Sequence, residues 1–192
     1  MGERNGAFTA GFERVCPPGS FVTTVSGFSG AWVNSFAHAR CTDGSELAMM
    51  QIPAGCGCDN FWDSSASGYT GIGFHARELE GAGCVYNLTI TRTSGDSMPL
   101  AVYPFAEARP RRASCSPGTV IVGFHGMASS TSPYGNWRLT SLGVICNTKN
   151  ASVSGERVTR WLALNFRTSP LCTYPHMGVQ PCACLACLRC IP

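Results

Sequence analysis

Charge is scarce in this chain. Only 13% of its 192 residues are Asp, Glu, Lys or Arg, and the formal net charge is +3. Self-repulsion of that size does not keep a chain unfolded, and so small and scattered a balance argues against nucleic acid as a partner. The one dense basic run, Arg109-Pro110-Arg111-Arg112, has no interleaved aromatics and reads as a solvated loop. Long apolar runs are missing too. None approaches the roughly 18 residues of a membrane-spanning helix, so no membrane span is expected. No window of about 11–18 residues has helical periodicity, which leaves many short strands and turns: an all-β chain. Motifs for covalent or nucleotide chemistry are also absent. There is no Gly-x-Ser-x-Gly, no phosphate loop and no dinucleotide fingerprint, so no enzyme, catalytic residue or cofactor is expected.

What the chain has in quantity is glycine, at 22 residues, and cysteine, at 12. An even, high cysteine count in a Gly- and Pro-rich chain points to disulfides and an oxidising, extracellular setting. Two sequons, Asn87-Leu88-Thr89 and Asn150-Ala151-Ser152, are compatible with secretion. The start, MGERNGAFTAG, has no hydrophobic core, so no signal peptide is expected within this chain.

Internal repetition organises the rest. Residues 16–41 and 115–146 both begin Cys-x-Pro-Gly-Ser/Thr, continue as an apolar strand and reach Gly-x-Trp, at Gly30-Ala31-Trp32 and Gly135-Asn136-Trp137. A cysteine follows nine positions after each tryptophan, Cys41 and Cys146. A weaker middle copy, residues 68–95, matches Gly73-Phe74-His75 to Gly123-Phe124-His125 and places Gly83 with Gly30 and Gly135. Each copy reads as strand, loop, strand. In the middle copy Cys84, Tyr86, Leu88 and Ile90 alternate with Val85, Asn87 and Thr89. The aligned inner positions are Ala37, Ile90 and Leu142, then Ala39, Arg92 and Val144, with Arg92 the misfit that marks a strand's end. One hairpin cannot bury its apolar face, but three about a common axis close a three-sided structure. We divide the chain into residues 6–147, with repeats at about 6–52, 53–98 and 99–147, and a Cys-rich C-terminal extension, 148–192.

Equivalent hairpins carry equivalent separations, so the expected disulfides are Cys16–Cys41 and Cys115–Cys146, with Cys84 joined to Cys56 or Cys58. Cys182, Cys184, Cys187 and Cys190 crowd the tail. A zinc site, local or intermolecular disulfides, and a tail without order all fit that spacing, and no metal is assigned to it. The stretch RVTRWLALNFR fits a strand or a short helix equally. His75 and His125 look equivalent, and their repetition favours a structural role over a metal pair. Glu78 and Glu80 have no identifiable partner, so no carboxylate pair for glycoside hydrolysis stands out.

Gly-x-x-x-Asn entering a strand recurs as Gly30-Ala31-Trp32-Val33-Asn34 and Gly83-Cys84-Val85-Tyr86-Asn87. With three glycine-rich repeats over residues 6–147, this resembles the jacalin-related lectins, whose pattern carries Asp or Asn at the last position. By architecture the chain is also similar, more distantly, to vitelline membrane outer layer protein. The resemblance implies a β-prism I fold, three antiparallel sheets around a pseudo-threefold axis. It implies sugar binding by strand-end loops without metal, through Gly30, Ala31, Trp32, Asn34, Gly83, Tyr86 and Asn87. Glycine admits close backbone approach, and an aromatic offers a platform for the sugar's apolar face. In that family the matching Asp accepts two hydroxyl hydrogen bonds. Asn keeps one acceptor and loses the charge, so binding is expected to be weaker or altered. Leu139 in the third copy implies a lost site there, with Tyr134 and Trp137 on the longer loop available for another. Trp32 and Trp137 read equally as packing residues, Asn34 and Asn87 as turn caps, and a glycan on Asn87 would block its site. The partners expected are glycans or glycoproteins, with a homo-oligomer compatible. The competing reading is a secreted structural or coat protein that uses the prism as a stapled brick.

Overall fold

The computed structural model describes residues 8–30, 32–50, 59–79, 82–103, 109–130, 137–149 and 158–159. Every regular element among them is a strand. In chain order these are β1 (Phe8–Val15), β2 (Val22–Ser29), β3 (Val33–Cys41), β4 (Glu46–Ala48), β5 (Asp59–Ser64), β6 (Tyr69–Leu79), β7 (Ala82–Arg92), β8 (Ser97–Pro99), β9 (Arg109–Ser114), β10 (Thr119–Ser130), β11 (Arg138–Thr148) and β12 (Val158–Thr159). They form three four-stranded antiparallel sheets: β4–β3–β2–β5, β8–β7–β6–β9 and β1–β10–β11–β12. We call these the first, second and third sheets.

Each sheet is built on a hairpin (β2–β3, β6–β7, β10–β11) whose first strand takes an edge strand from elsewhere in the chain. β5 joins β2, β9 joins β6, and the N-terminal β1 crosses to β10. Strands in the stretches taken as the second and third repeats therefore complete the sheet before their own. The turns into the hairpins hold Gly19, Gly68 and Gly118 at φ 82°, 85° and 81°, a left-handed region that residues with a Cβ rarely adopt. Inner faces meet in one core. Phe36 and Phe124 are fully buried, with ring centroids 4.7 Å apart in an edge-on arrangement, and Phe61 lies 6.3 Å from Phe36. Ala37, Ala39, Leu142 and Val144 are buried, as the repeat alignment requires, along with Ile72, Leu88 and Ile90. Burying each large apolar side chain stabilises the prism by roughly 1.5–3 kcal/mol.

Two registers repeat a packing device. Gly27 opposes Phe61 across β2 and β5, and Gly126 opposes Phe12 across β10 and β1. A Cβ on either glycine would overlap that phenyl ring. In the second sheet the bulk changes sides, with Phe74 opposite Arg111. The basic run expected as a loop is thus the edge strand β9, with Arg109, Pro110, Arg111 and Arg112 exposed. Proline is tolerated there because the outer side of an edge strand owes no hydrogen bond. Pairing with β6 comes from tertiary structure, which local composition does not reveal.

The seams between sheets are tied in three ways. Cys16–Cys41 links the end of β1 to β3, with Cα atoms 5.8 Å apart. Cys115–Cys146 links the end of β9 to β11, at 5.6 Å. Both are the bonds expected from the duplicated spacing. At the matching third position stand Ser65 and Arg92. The backbone N–H groups of Cys16, Ser65 and Cys115 make the same bond to the neighbouring strand, to Val122, Thr23 and Thr70 oxygens. Here an ion pair replaces the disulfide. Arg92 Nη2 lies 2.5 Å from Asp63 Oδ1, and the buried Tyr69 hydroxyl donates to Asp63 Oδ2 at 3.0 Å. Arg92 marks the end of its strand as anticipated, and its charge has a partner from another sheet. Cys84 is buried, and Cys56 and Cys58 lie outside the described residues. So do the four tail cysteines; of the stretch RVTRWLALNFR only Val158 and Thr159 are described, paired with Cys146 and Ile145.

Candidate functional site

The starts of β3, β7 and β11 meet at one end of the prism. Trp32 Nε1 donates to the Trp137 carbonyl at 3.3 Å, and Asn34 Nδ2 donates to the same oxygen at 3.1 Å. These bonds join the first sheet to the third. Arg138, the first residue of β11, sets Nη1 3.6 Å from Cys84 Sγ on β7, joining the third sheet to the second. Gly30 N donates to the Trp32 carbonyl at 2.9 Å, just ahead of β3. Trp32 and Trp137 are half-buried, and Asn34 is 5% exposed.

Among the described residues, four buried side-chain atoms at this end have no hydrogen-bond partner: Asn34 Oδ1, Trp137 Nε1, Ser129 Oγ and Arg138 Nε. Ser129 sits directly across from Arg138 in the β10–β11 register. Buried polar atoms are nearly always paired, so four orphans around one strand-end junction mark a place where polar contacts remain to be made.

The other expected site residues fall elsewhere. Ala31 lies outside the described residues. Gly83 is within β7, opposite Glu78. Tyr86 is 2% exposed, and so contributes to packing in this structure. Asn87 has φ 45° and sits at a bulge, where its Oδ1 accepts a hydrogen bond from Tyr103 N. The even alternation read for this strand breaks at that point, and Cys84, Val85 and Tyr86 are all buried.

Strand registers explain the separation. Ser26 pairs with His38 and Gly73 with Thr89, while Thr24 and Gly71 occupy matching places against β5 and β9. At the junction Val33, Val85 and Leu139 oppose the matching residues Ser29, Ala76 and Ala128 and so correspond, Asn34 is the extra residue of a bulge beside Val33, and Asn87 stands two residues past Val85. The same registers correct the histidines: His125 opposes Gly143, His75 opposes Tyr86, and the two are not structurally equivalent. Among the described residues no group of three or more His, Cys, Asp or Glu is arranged to hold a metal. A shallow depression of about 140 Å³, lined by Thr24, Ser26, His38, Ala39, Arg40 and Glu46, lies on the first sheet, away from the junction. Its Glu46 is held below the usual carboxylate range by the hydrogen bond from Arg40, at 2.7 Å. Trp137 carries a sequence signal in its Gly-x-Trp context, whereas Ser129 and Arg138 carry none.

No protein-family model and no curated protein sequence matches the chain. Solved structures do. The mannose binding lectin from Champedak superposes with a TM-score of 0.53 at 13% identity, covering 74% of this chain and 94% of that one. Artocarpin, solved with mannopentose, gives 0.53 at 12%, covering 73% and 91%. Jacalin, solved with mellibiose (Gal-alpha(1-6)-Glc), gives 0.51 at 12%, covering 71% and 98%. At such identities the likeness is one of fold. The chain is an all-β protein of the β-prism I type, and its structural neighbours are jacalin-related lectins.

Proposed function

We propose that this chain is a secreted, non-catalytic carbohydrate-binding module. Strand-end loops of the prism take the sugar without metal, and glycans or glycoproteins are its partners. The prism covers residues 6–147 and descends from a triplicated hairpin unit. The supporting observation is the junction of Trp32, Asn34 and Trp137, where two aromatic side chains stand beside buried polar atoms that have no partner. Sugars need that pairing: an aromatic surface for C–H faces and directed polar atoms for hydroxyls. The fold supports the same reading, because its solved neighbours include lectins. Of the two Gly-x-x-x-Asn stretches, the one at Gly30–Asn34 is favoured. Asn87 spends its carbonyl oxygen on Tyr103, and Tyr86 is enclosed.

A glycan array at up to millimolar ligand tests the reading. Binding should appear, should fall at least tenfold in Trp32→Ala or Asn34→Ala, and should persist in Asn87→Ala. Absence of binding to every glycan would overturn it.

A further inference from the structure

We infer that the ligand taken at this prism end is acidic, with a carboxylate or sulfate group that pairs with Arg138; the inference rests on the carbohydrate-binding reading. Arg138 is 6% exposed. Burial of a guanidinium is expensive unless an anion and further hydrogen bonds compensate. Among the described residues the ion pairs are Arg40–Glu46 and Arg92–Asp63, and neither involves Arg138. Its Nη1 reaches only a sulfur, a weak acceptor, at 3.6 Å from Cys84, and its Nε has no partner.

Ser129 Oγ, directly across the hairpin, is buried without a partner and can donate to the same anion. Trp137 precedes Arg138 in the chain, and its carbonyl gathers the Trp32 and Asn34 side chains. An arginine fork presents parallel N–H groups that match a carboxylate or a sulfate in two-point contact, which a neutral hydroxyl does not offer. The junction therefore combines an anion receptor with aromatic and amide groups for the attached ring. Uronic acids and sulfated sugars share this chemistry.

Titration calorimetry of the full chain decides. The probes are trigalacturonate, its neutral methyl ester, and a sulfated disaccharide with its desulfated counterpart, each at low and high salt. The acid or the sulfate should bind at least tenfold more tightly than its neutral form, and salt should weaken it. Whichever anion shows the preference identifies the source. Arg138→Gln should abolish the preference, Arg138→Lys should recover it only in part, and Arg40→Gln, at the distant depression, should leave it intact. If Arg138→Gln fails to fold, the acid-against-ester comparison on the unaltered protein still decides. Equal binding of charged and neutral forms overturns the acidic specificity and leaves the lectin reading standing. Failure to bind these probes and every neutral glycan overturns both.

Discussion

Replacing Asp63 by alanine should loosen the seam between the first and second sheets. Asp63 is 7% exposed and accepts three hydrogen bonds, from the Tyr69 hydroxyl at 3.0 Å and from Arg92 Nε and Nη2 at 3.3 and 2.5 Å. Without the carboxylate, the fully buried Tyr69 keeps only the Thr23 carbonyl at 3.3 Å. A buried hydroxyl left poorly paired costs about 1–3 kcal/mol. The Arg92 side chain is 30% exposed and recovers water, so it adds little to that. A loss of about 2 kcal/mol lowers Tm by roughly 4–8 °C in a chain of this size. Urea unfolding with disulfides intact measures it. Tyr69→Phe alone should cost about 1 kcal/mol, and the double variant should cost less than the sum, because the two side chains share one bond. Alkaline pH gives an independent readout. Burial first, and then the bond to Asp63, hold the Tyr69 phenol well above its ordinary range. A raised folded pKa means stability that is present below the unfolded value of about 10 and lost as the pH climbs beyond it. Melting temperature should therefore fall more steeply above that pH in the native chain than in Tyr69→Phe. An Asp63→Ala variant within 0.5 kcal/mol of the native chain, or strict additivity with Tyr69→Phe, would refute this account of the seam.

Three further outcomes follow from the same geometry. Removing either disulfide, as Cys16→Ser with Cys41→Ser or Cys115→Ser with Cys146→Ser, should cost roughly 3.5 kcal/mol on the chain-entropy scale, measured by denaturant midpoint. Asn34→Asp should destabilise the prism by about 1–3 kcal/mol, because a carboxylate would face the Trp137 carbonyl where an amide now donates; a melting curve checks it. Gly27→Ala should cost about 1–3 kcal/mol by overpacking against Phe61 and the Ser35 carbonyl, while Gly19→Ala, in open space, should show only the smaller backbone penalty of its positive φ.

Much of this protein was legible in its residues because the signals were local or duplicated. Alternating apolar positions require strands and assign faces, and paired cysteine spacings in two matching stretches identify two disulfides without coordinates. Register was a different matter. Side chains repeat every two residues along a strand, so a slide of two keeps every residue on its face and leaves the pattern unchanged. That is why Asn87 resembled the counterpart of Asn34, and His75 that of His125, until hydrogen-bonded partners separated them. Edge strands escaped for a related reason: β1, β5 and β9 complete sheets whose central hairpins lie elsewhere in the chain. Burial of Arg138 was equally hidden, since it depends on β7 approaching β11 from another sheet. The sequence by itself determined strands, faces and covalent staples, because those follow from neighbours along the chain. Only the tertiary structure decided which strand ends meet and which polar atoms are left without partners there, because those depend on how three sheets close around one core.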